Sequence, residues 1–149
     1  MQITGSVTLL LREKNPDISS IGPNATVYEA IELMANRNIG ALPVVEAGRL
    51  VGMLSERDYT RKVVLRGRAS KDTPVGEIMT RNPIVVSPDN TVGECMEIMT
   101  DERVRHLPVV ENGELLGILS IGDLVKWIIS AQTATIDQLT SYVFGVQEA

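Results

Sequence analysis

Two serine–aspartate pairs at the same spacing are the residues of this sequence best suited to bind a ligand. Ser55 and Asp58 stand three positions apart, and Ser120 and Asp123 repeat the arrangement 65 positions later. An aspartate at the start of a helix can accept two hydroxyl hydrogen bonds from a ribose edge, and the helix N-terminus suits a phosphate. The ordinary explanation is a capping box that only begins a helix. A single copy favours capping, whereas two copies, each directly after a glycine-containing strand, indicate more than a cap.

Arginines near these pairs could extend each site towards a phosphate. Arg57 and Arg61 lie one helical turn apart, and Arg103 and Arg105 would share one face of an extended segment. Gly122 occupies the position that matches Arg57, so we expect the two sites to differ in charge. The rest of the basic run is interpreted as a solvated helix face and linker: Lys62, Arg66, Arg68 and Lys71.

The remaining chemistry-bearing residues favour structural roles. His106 is the single histidine and Cys95 the single cysteine, so a transition-metal site is not predicted. Cys95 falls on the apolar face of a predicted helix and is interpreted as core. The sequence contains no P-loop, no nucleophile–base pair and no dense carboxylate cluster, and we therefore predict no enzyme. Gly52 and Gly117 mark close backbone approach, either within a sheet or to a ligand.

The elements that must position these residues come from an internal duplication. Residues 23–58 align with residues 88–123 without a gap, and seventeen of the 36 pairs are identical. Each copy contains a Thr-x-x-Glu capping box, a helix with one apolar face, two β-branched runs around Ala47-Gly48 or Asn112-Gly113, and a second helix. We predict that a short strand leads each copy, at 18–21 and 84–87, and that a second helix ends each copy, at 56–66 and 121–132. Short helical lead-ins are predicted in 5–10 and 75–79. An extra helix at 131–145 is a candidate dimer contact. Each repeat therefore reads β-α-β-β-α, an α+β fold.

Composition argues against a nucleic-acid-binding, membrane-spanning or secreted protein. A formal net charge of −5 argues against general nucleic-acid binding, and the apolar run at 7–11 is too short for a membrane span and poorly flanked for a signal peptide. A single cysteine fits a reducing compartment. We expect a cytoplasmic protein.

The doubled phrase LPVV-x-x-G-x-L-x-G-h-h-S-x-x-D (h, hydrophobic) and the lead-in GEIMT resemble CBS domains, named from cystathionine β-synthase. A tandem pair is called a Bateman module. ERDYTRKVV, RHLPVV and SIGDLVKWI look similar to small stand-alone bacterial CBS-pair proteins. The resemblance implies two repeats packed with pseudo-two-fold symmetry. We predict a first repeat at 5–66, a linker at 67–75, a second repeat at 76–130 and a C-terminal helical extension at 131–149.

The resemblance also implies the ligand and its site. Members of the family bind AMP, ADP, ATP, NAD or S-adenosylmethionine in clefts between the repeats, and the aspartate of Ser-x-x-Asp receives the ribose hydroxyls. Residues before the second strand line the adenine pocket, and backbone of the first strand contributes. The predicted ligand-binding residues are Ser55, Arg57, Asp58, Ser120, Ile121 and Asp123, with Ile39, Gly40, Ala41, Val104, Arg105 and His106, and with Ile18, Ser20, Pro83 and Ile84.

The leading hypothesis is a regulatory sensor without catalysis. Ligand occupancy would change the angle or the rigidity of a homodimer, and a regulated enzyme or transporter would respond to that change. Two alternatives stay open at this point: a ligand-independent dimeric adaptor and a nucleotide-hydrolysing enzyme. No nucleic-acid or membrane partner is expected.

Overall fold

The computed structural model describes residues 3–14 and 16–144, in which helices and strands follow one another in two similar runs. Helix α1 (Val7–Glu13) precedes the first run, which consists of α2 (Val27–Arg37), β1 (Ala41–Glu46), β2 (Arg49–Ser55), α3 (Glu56–Tyr59) and a π-helix (Thr60–Val64). A 3₁₀ turn (Ser70–Asp72), α4 (Val75–Ile78) and β3 (Thr80–Arg81) connect it to the second run. The second run consists of α5 (Val92–Glu102), β4 (His106–Glu111), β5 (Glu114–Ser120) and α6 (Ile121–Phe144). The predicted α+β fold with two repeats is confirmed.

The first helix of each repeat begins at the predicted capping box. The hydroxyl of Thr26 accepts from the N–H of Glu29 at 3.1 Å, and the Glu29 carboxylate accepts from the N–H of Thr26 at 3.2 Å. Thr91 and Glu94 make the same two bonds at the start of α5. Each helix buries the face that apolar spacing predicts: Val27, Ala30 and Met34 on α2, and Val92, Cys95 and Met99 on α5.

Both hairpins turn where the sequence predicts. Ala47 and Gly48 have φ values of 51° and 76°, and Asn112 and Gly113 have 53° and 78°. Two successive positive φ values give the turn that matches the twist of antiparallel strands. Strands β1 and β2 pair from Ala41 opposite Ser55 down to Glu46 opposite Arg49, with β3 beside β2. Strands β4 and β5 form the second sheet.

The predicted leading strands at 18–21 and 84–87 are wrong, because each is reduced to a single parallel bridge. Ile21 donates to the carbonyl of Pro43 and accepts from the N–H of Val45. Extending this ladder in one direction requires an N–H from Pro43, and in the other an N–H from Pro23, which proline lacks. Val86 repeats the pattern in the second copy, where it bridges Val109 between Pro108 and Val110, and Pro88 follows two residues later.

The second helices differ from the prediction in both repeats. The predicted helix at 56–66 consists of α3 and a π-helix that ends at Val64, where the N–H of Leu65 donates to the carbonyl of Thr60. The predicted helices at 121–132 and 131–145 are one continuous helix, α6. The sequence SAQTA at the expected break contains no glycine, proline or cap that would end a helix. The last residues of the predicted C-terminal extension, 145–149, lie outside the described residues.

The chain divides into two compact units. Unit 1 contains α1, α5 and α6, and unit 2 contains the β1-β2-β3 sheet with α2, α3 and α4; β4 and β5 contribute residues to both. In unit 1, the N–H of Val7 donates to the carbonyl of Asn90, just before α5. In unit 2, the N–H of Val75 donates to the carbonyl of Ala25, just before α2. Each short lead-in helix therefore joins the repeat that it does not precede in sequence.

Aliphatic residues and methionine form the interior. In unit 2 the buried cluster comprises Val27, Ala30, Met34, Leu42, Val44, Leu54, Val63, Val75, Ile78 and Met79. Side chains from α2, both hairpin strands, the π-helix and α4 meet there, so packing fixes the end of β2 from which Ser55 extends. No helix within residues 3–14 and 16–144 is long and apolar enough to cross a membrane.

Candidate functional site

The first Ser-x-x-Asp motif forms a reciprocal capping box between the end of β2 and the start of α3. The N–H of Asp58 donates to the Ser55 hydroxyl oxygen at 3.1 Å. In return, Oδ2 of Asp58 accepts from both the N–H and the hydroxyl of Ser55, at 3.0 and 3.1 Å. The capping interpretation is therefore correct, and these bonds fix the carboxylate at the helix start.

A lysine that the sequence analysis assigned to a solvated face contacts this carboxylate. Lys62 Nζ lies 3.1 Å from Asp58 Oδ1 and also donates to the carbonyl oxygen of Ile78 at 2.9 Å. The predicted solvated role of Lys62 is wrong. Asp58 and Lys62 are four residues apart in a helical segment, so the spacing of an i,i+4 ion pair was the available signal.

The second motif makes a similar box with a different lysine. The N–H of Asp123 donates to the Ser120 hydroxyl at 3.1 Å, and Asp123 Oδ2 accepts from the N–H of Ser120 at 2.8 Å. Lys14, which follows α1, places Nζ 2.6 Å from the same Oδ2. Burial acts to raise the pKa of Asp123, but the hydrogen bond and charge of Lys14, together with the bonds to Ser120, outweigh it. The pKa of Asp123 therefore lies below its ordinary value.

Backbone hydrogen bonds hold the predicted adenine-lining segments against these motifs. The N–H of Glu56 donates to the carbonyl of Gly40 at 3.1 Å, which ties the turn before β1 to the start of α3. The N–H of Ile121 donates to the carbonyl of Arg105 at 2.8 Å, an equivalent link before β4. The structure thus brings Ile39, Gly40 and Ala41 close to Ser55, and Val104, Arg105 and His106 close to Ser120.

The predicted residues of the leading segments differ in their surroundings. Ile18 and Ser20 are exposed and line a cavity of about 420 Å³ in unit 2, together with Asp17, Ser19, Leu33 and Arg37. Pro83 is half-buried and Ile84 exposed in the segment that leads to the Val86 bridge. A polar cavity beside the first of these segments is consistent with a ligand contact there.

The arginines that were predicted to lie near a phosphate agree with their predicted placement to different degrees. Arg57 and Arg61 are exposed on consecutive helical turns, as the spacing predicts. Arg103 has left-handed φ and ψ of 55° and 42° and ends α5, so the extended pairing of Arg103 with Arg105 is wrong. The αL position is a common helix terminus, although arginine is an unusual residue there. Arg105 is exposed at the turn before β4.

The linker cations are engaged with their surroundings. Arg68 forms an ion pair with Glu77, and Lys71 Nζ lies 4.7 Å from the centre of the Tyr28 ring. These contacts tie the linker to elements of unit 2, and no contact of either side chain with the Ser-x-x-Asp motifs occurs in residues 3–14 and 16–144.

Cys95 and Gly52 have structural roles. Cys95 is fully buried, and burial, with a smaller effect of the Glu94 charge, raises the pKa of its thiol to about 11. A Cβ on Gly52 would lie 2.6 Å from Met79 Sδ and 2.9 Å from the Thr80 carbonyl oxygen. The close approach at Gly52 is therefore within the sheet. In the described part of the chain, no three His, Cys, Asp or Glu residues cluster as metal ligands.

Comparisons with known proteins identify the repeats. The sequence model of the CBS domain matches residues 12–65 and again residues 75–130. The mitochondrial CBS domain-containing protein CBSX3 of Arabidopsis thaliana is 42% identical over 125 residues, which cover 80% of this chain and 61% of that protein. The CBS domain-containing protein YhcV of Bacillus subtilis is 36% identical over 117 residues, covering 78% of this chain and 83% of YhcV.

Solved structures agree with these relatives. A protein with CBS domains from Burkholderia ambifaria is 47% identical, has a TM-score of 0.83, and matches over 86% of this chain and 96% of its own. A hexameric CBS-CP12 protein from bloom-forming cyanobacteria is 27% identical with a TM-score of 0.73, over 84% of this chain and 72% of its own. The chain spans less than two thirds of the Arabidopsis relative's length.

Proposed function

Because this chain belongs to the CBS-domain family as a tandem pair, we propose that it is a regulatory module that binds adenosine-containing ligands and has no catalysis of its own. The ligand classes are AMP, ADP, ATP, NAD and S-adenosylmethionine. A change of ligand occupancy would be passed to a regulated enzyme or transporter in the cytoplasm. The single cysteine, which fits a reducing compartment, supports that location.

One observation carries the proposal: in each repeat an aspartate lies in the first turn of a helix whose first residue donates a backbone hydrogen bond to the turn before the first hairpin strand. Asp58 lies in the first turn of α3, where the N–H of Glu56 donates to the Gly40 carbonyl, and Asp123 lies in the first turn of α6, where the N–H of Ile121 donates to the Arg105 carbonyl. A carboxylate that accepts ribose hydroxyls and an adjacent backbone edge that meets a base are the two contacts that a nucleoside needs. The exposed guanidinium groups of Arg57 and Arg105 are placed to attract a phosphate.

Isothermal titration with AMP, ADP, ATP, NAD and S-adenosylmethionine tests the proposal. We expect at least one of them to bind and to raise the thermal midpoint by mass action. The Asp58→Asn, Asp123→Asn double variant should lose this binding, since asparagine keeps the shape and lacks the charge. Asp137→Asn, on the exposed part of α6, is the matched control. Binding by none of the five ligands would contradict the proposal.

Homodimer formation is part of the proposal, and one surface supports it. Exposed apolar residues recur on one face of α6 at Val125, Ile129, Ile136, Leu139 and Val143, and half-buried Gln132 occupies the same face in the seven-residue gap between Ile129 and Ile136. This spacing makes one stripe that a second helix could cover. Because CBS-CP12, a related protein, is hexameric, assembly through repeated copies has a precedent in the family.

The same stripe favours a second candidate function, a dimeric adaptor that does not depend on a ligand. An adaptor would dimerise through α6 while its aspartates act only as caps. It predicts that none of the five ligands alters the thermal midpoint. Titration and thermal unfolding of the same sample therefore separate the two functions.

A further inference from the structure

We infer that the two Ser-x-x-Asp carboxylates are unequal: Asp123 is open to a ligand diol, whereas Lys62 closes Asp58. The inference rests on the proposed function and names which of its two sites is filled first. Its evidence is the distribution of hydrogen bonds over the four carboxylate oxygens. The serine that bonds each carboxylate is equivalent in the two repeats, whereas the lysine comes from a different element: Lys62 from the π-helix and Lys14 from the segment after α1.

Asp58 has little acceptor capacity left. An ionised carboxylate offers about four lone-pair sites on its two oxygens. Oδ2 already accepts two hydrogen bonds from Ser55, and Oδ1 is 3.1 Å from Lys62 Nζ. Only 13% of the Asp58 side chain is exposed. A ribose that donates two hydrogen bonds must therefore displace the lysine.

Displacing Lys62 has a further cost. Its ammonium also donates to the carbonyl oxygen of Ile78, a residue of the unit 2 core, at 2.9 Å. A ligand that pushes the lysine away breaks a charge-assisted hydrogen bond as well as an ion pair. The first site is therefore closed by two contacts of one side chain.

Asp123 is arranged differently. Lys14 Nζ and the N–H of Ser120 both contact Oδ2, at 2.6 and 2.8 Å. Both contacts fall on the same oxygen, so neither the lysine nor the Ser120 N–H occupies Oδ1. The Asp123 side chain is 25% exposed, about twice the fraction of Asp58. A diol can bind Oδ1 while Lys14 stays in place.

Lys14 also favours a phosphorylated ligand at the second site. A bare carboxylate repels a phosphate that lies several ångströms away, and an ammonium in contact with that carboxylate cancels most of the repulsion. The ammonium comes from the segment after α1, so the N-terminal lead-in contributes to the site of the second repeat. The expected ligand class is therefore a nucleotide rather than a neutral nucleoside.

Titration of single variants tests the inequality, with AMP and ATP as probes and adenosine as the neutral comparison. We expect wild type to bind one nucleotide per chain. Asp123→Asn should weaken binding by at least about tenfold, the size of a lost hydrogen bond to a charged group, and Asp58→Asn should leave it nearly unchanged. Lys62→Met should raise the stoichiometry from one to two, while Lys62→Arg and the exposed Arg66→Met should keep it at one. Adenosine should bind at least about tenfold more weakly than AMP.

The outcomes separate this inference from the proposed function. If none of AMP, ADP, ATP, NAD and S-adenosylmethionine binds to wild type, the proposed function and the inequality fail together. If nucleotide binds and Asp58→Asn weakens it as much as Asp123→Asn, the proposed function stands and the inequality is overturned. If Lys62→Met is folded, as judged by its thermal unfolding, and still binds one nucleotide per chain, then Lys62 does not keep the ligand from Asp58. The comparison of Asp58→Asn with Asp123→Asn tests the inequality even if Lys62→Met does not fold.

Discussion

Lys14 and Asp123 form an ion pair of 2.6 Å between Nζ and Oδ2, although 109 positions separate them in the sequence. The pair joins the end of the N-terminal lead-in to the first turn of α6 within unit 1. It therefore has two consequences that can be measured apart, one for the proposed ligand binding and one for folding stability.

The stability consequence depends on pH. Because the pKa of Asp123 is lower in the folded chain than its ordinary value, the unfolded chain takes up a proton first as the pH falls. The stabilisation is fully present above the unfolded pKa, about 4, and is lost as the pH falls through the folded pKa. We expect Lys14→Met to lower the free energy of unfolding at pH 7 by about 1 kcal/mol or less, since both side chains are partly exposed.

Urea unfolding of wild type and Lys14→Met between pH 3 and 7 measures this effect. The difference in free energy should shrink as the solution becomes more acidic. Arg12→Met changes an exposed cation on the same short helix and should show no such pH dependence. A constant difference between wild type and Lys14→Met over the whole range would mean that the pair does not control the titration of Asp123.

Gly52 allows β3 to lie against β2. A Cβ there would meet the flexible Met79 side chain at 2.6 Å, but also the backbone carbonyl of Thr80 at 2.9 Å, which cannot move alone. We expect Gly52→Ala to lower the free energy of unfolding by about 1–3 kcal/mol.

Gly93 on α5 is the matched control, since the atoms nearest to a Cβ at this position lie at 3.8 Å and alanine favours a helix. Gly93→Ala should stabilise by up to about 1 kcal/mol in the same urea experiment. Equal stabilities of the two variants would contradict this account.

Cys95 should be inert in the folded protein. Its thiol is buried, and its pKa of about 11 leaves almost no thiolate at neutral pH. We expect labelling by a disulfide reagent at pH 8 to proceed only at the rate of unfolding. Thr133→Cys, which adds a second thiol on the exposed surface of α6, should give one additional group that reacts at once. Rapid labelling of wild type at Cys95 would contradict a core position.

The same raised pKa has a consequence for alkaline solutions. Between the ordinary thiol pKa of 9.0 and the folded value of about 11, the unfolded chain loses a proton that the folded chain keeps. Stability from this group is complete below the unfolded pKa and falls as the pH rises through that interval. Cys95→Ala should lack this part of the alkaline loss in urea unfolding, whatever its stability at pH 7.

The features that the sequence predicts correctly depend on neighbouring residues. The capping boxes at Thr26 and Thr91 and the turns at Ala47-Gly48 and Asn112-Gly113 need only a few adjacent residues, and all four form. The Ser-x-x-Asp boxes are equally local. Their doubling made the repeat visible, and the repeat identified the fold.

The features that the sequence misses depend on partners elsewhere in the chain. The leading strands fail because Pro43 and Pro108, on the neighbouring strands, lack the N–H that a longer ladder requires. Lys14 gives no local signal of its contact with Asp123, since a different element supplies each residue. Lys62 was detectable in principle by its four-residue spacing from Asp58, but the surrounding basic run favoured a solvated face.

The length of α6 leads to the last prediction, on assembly. The stripe of exposed apolar residues extends through both segments that were predicted as separate helices, with Gln132 between its two halves, so one face of α6 could contact a second copy. Ile136 and Leu139 are 61% and 59% exposed near the middle of its C-terminal half. Placing two carboxylates per chain in a helix–helix contact opposes association through burial of charge and like-charge repulsion.

We therefore expect wild type to form the proposed dimer in sedimentation equilibrium and the Ile136→Glu, Leu139→Glu double variant to remain a monomer at the same concentrations. Gln138→Glu adds a carboxylate at an exposed position off the stripe and should dimerise as wild type does. Circular dichroism of the same samples checks that α6 remains helical, because glutamate is itself a good helix former. If the double variant still dimerises, the dimer contact lies on a surface other than this stripe. If it is monomeric and still binds nucleotide, each chain contains a complete ligand site, and the dimer serves to transmit occupancy rather than to form the site.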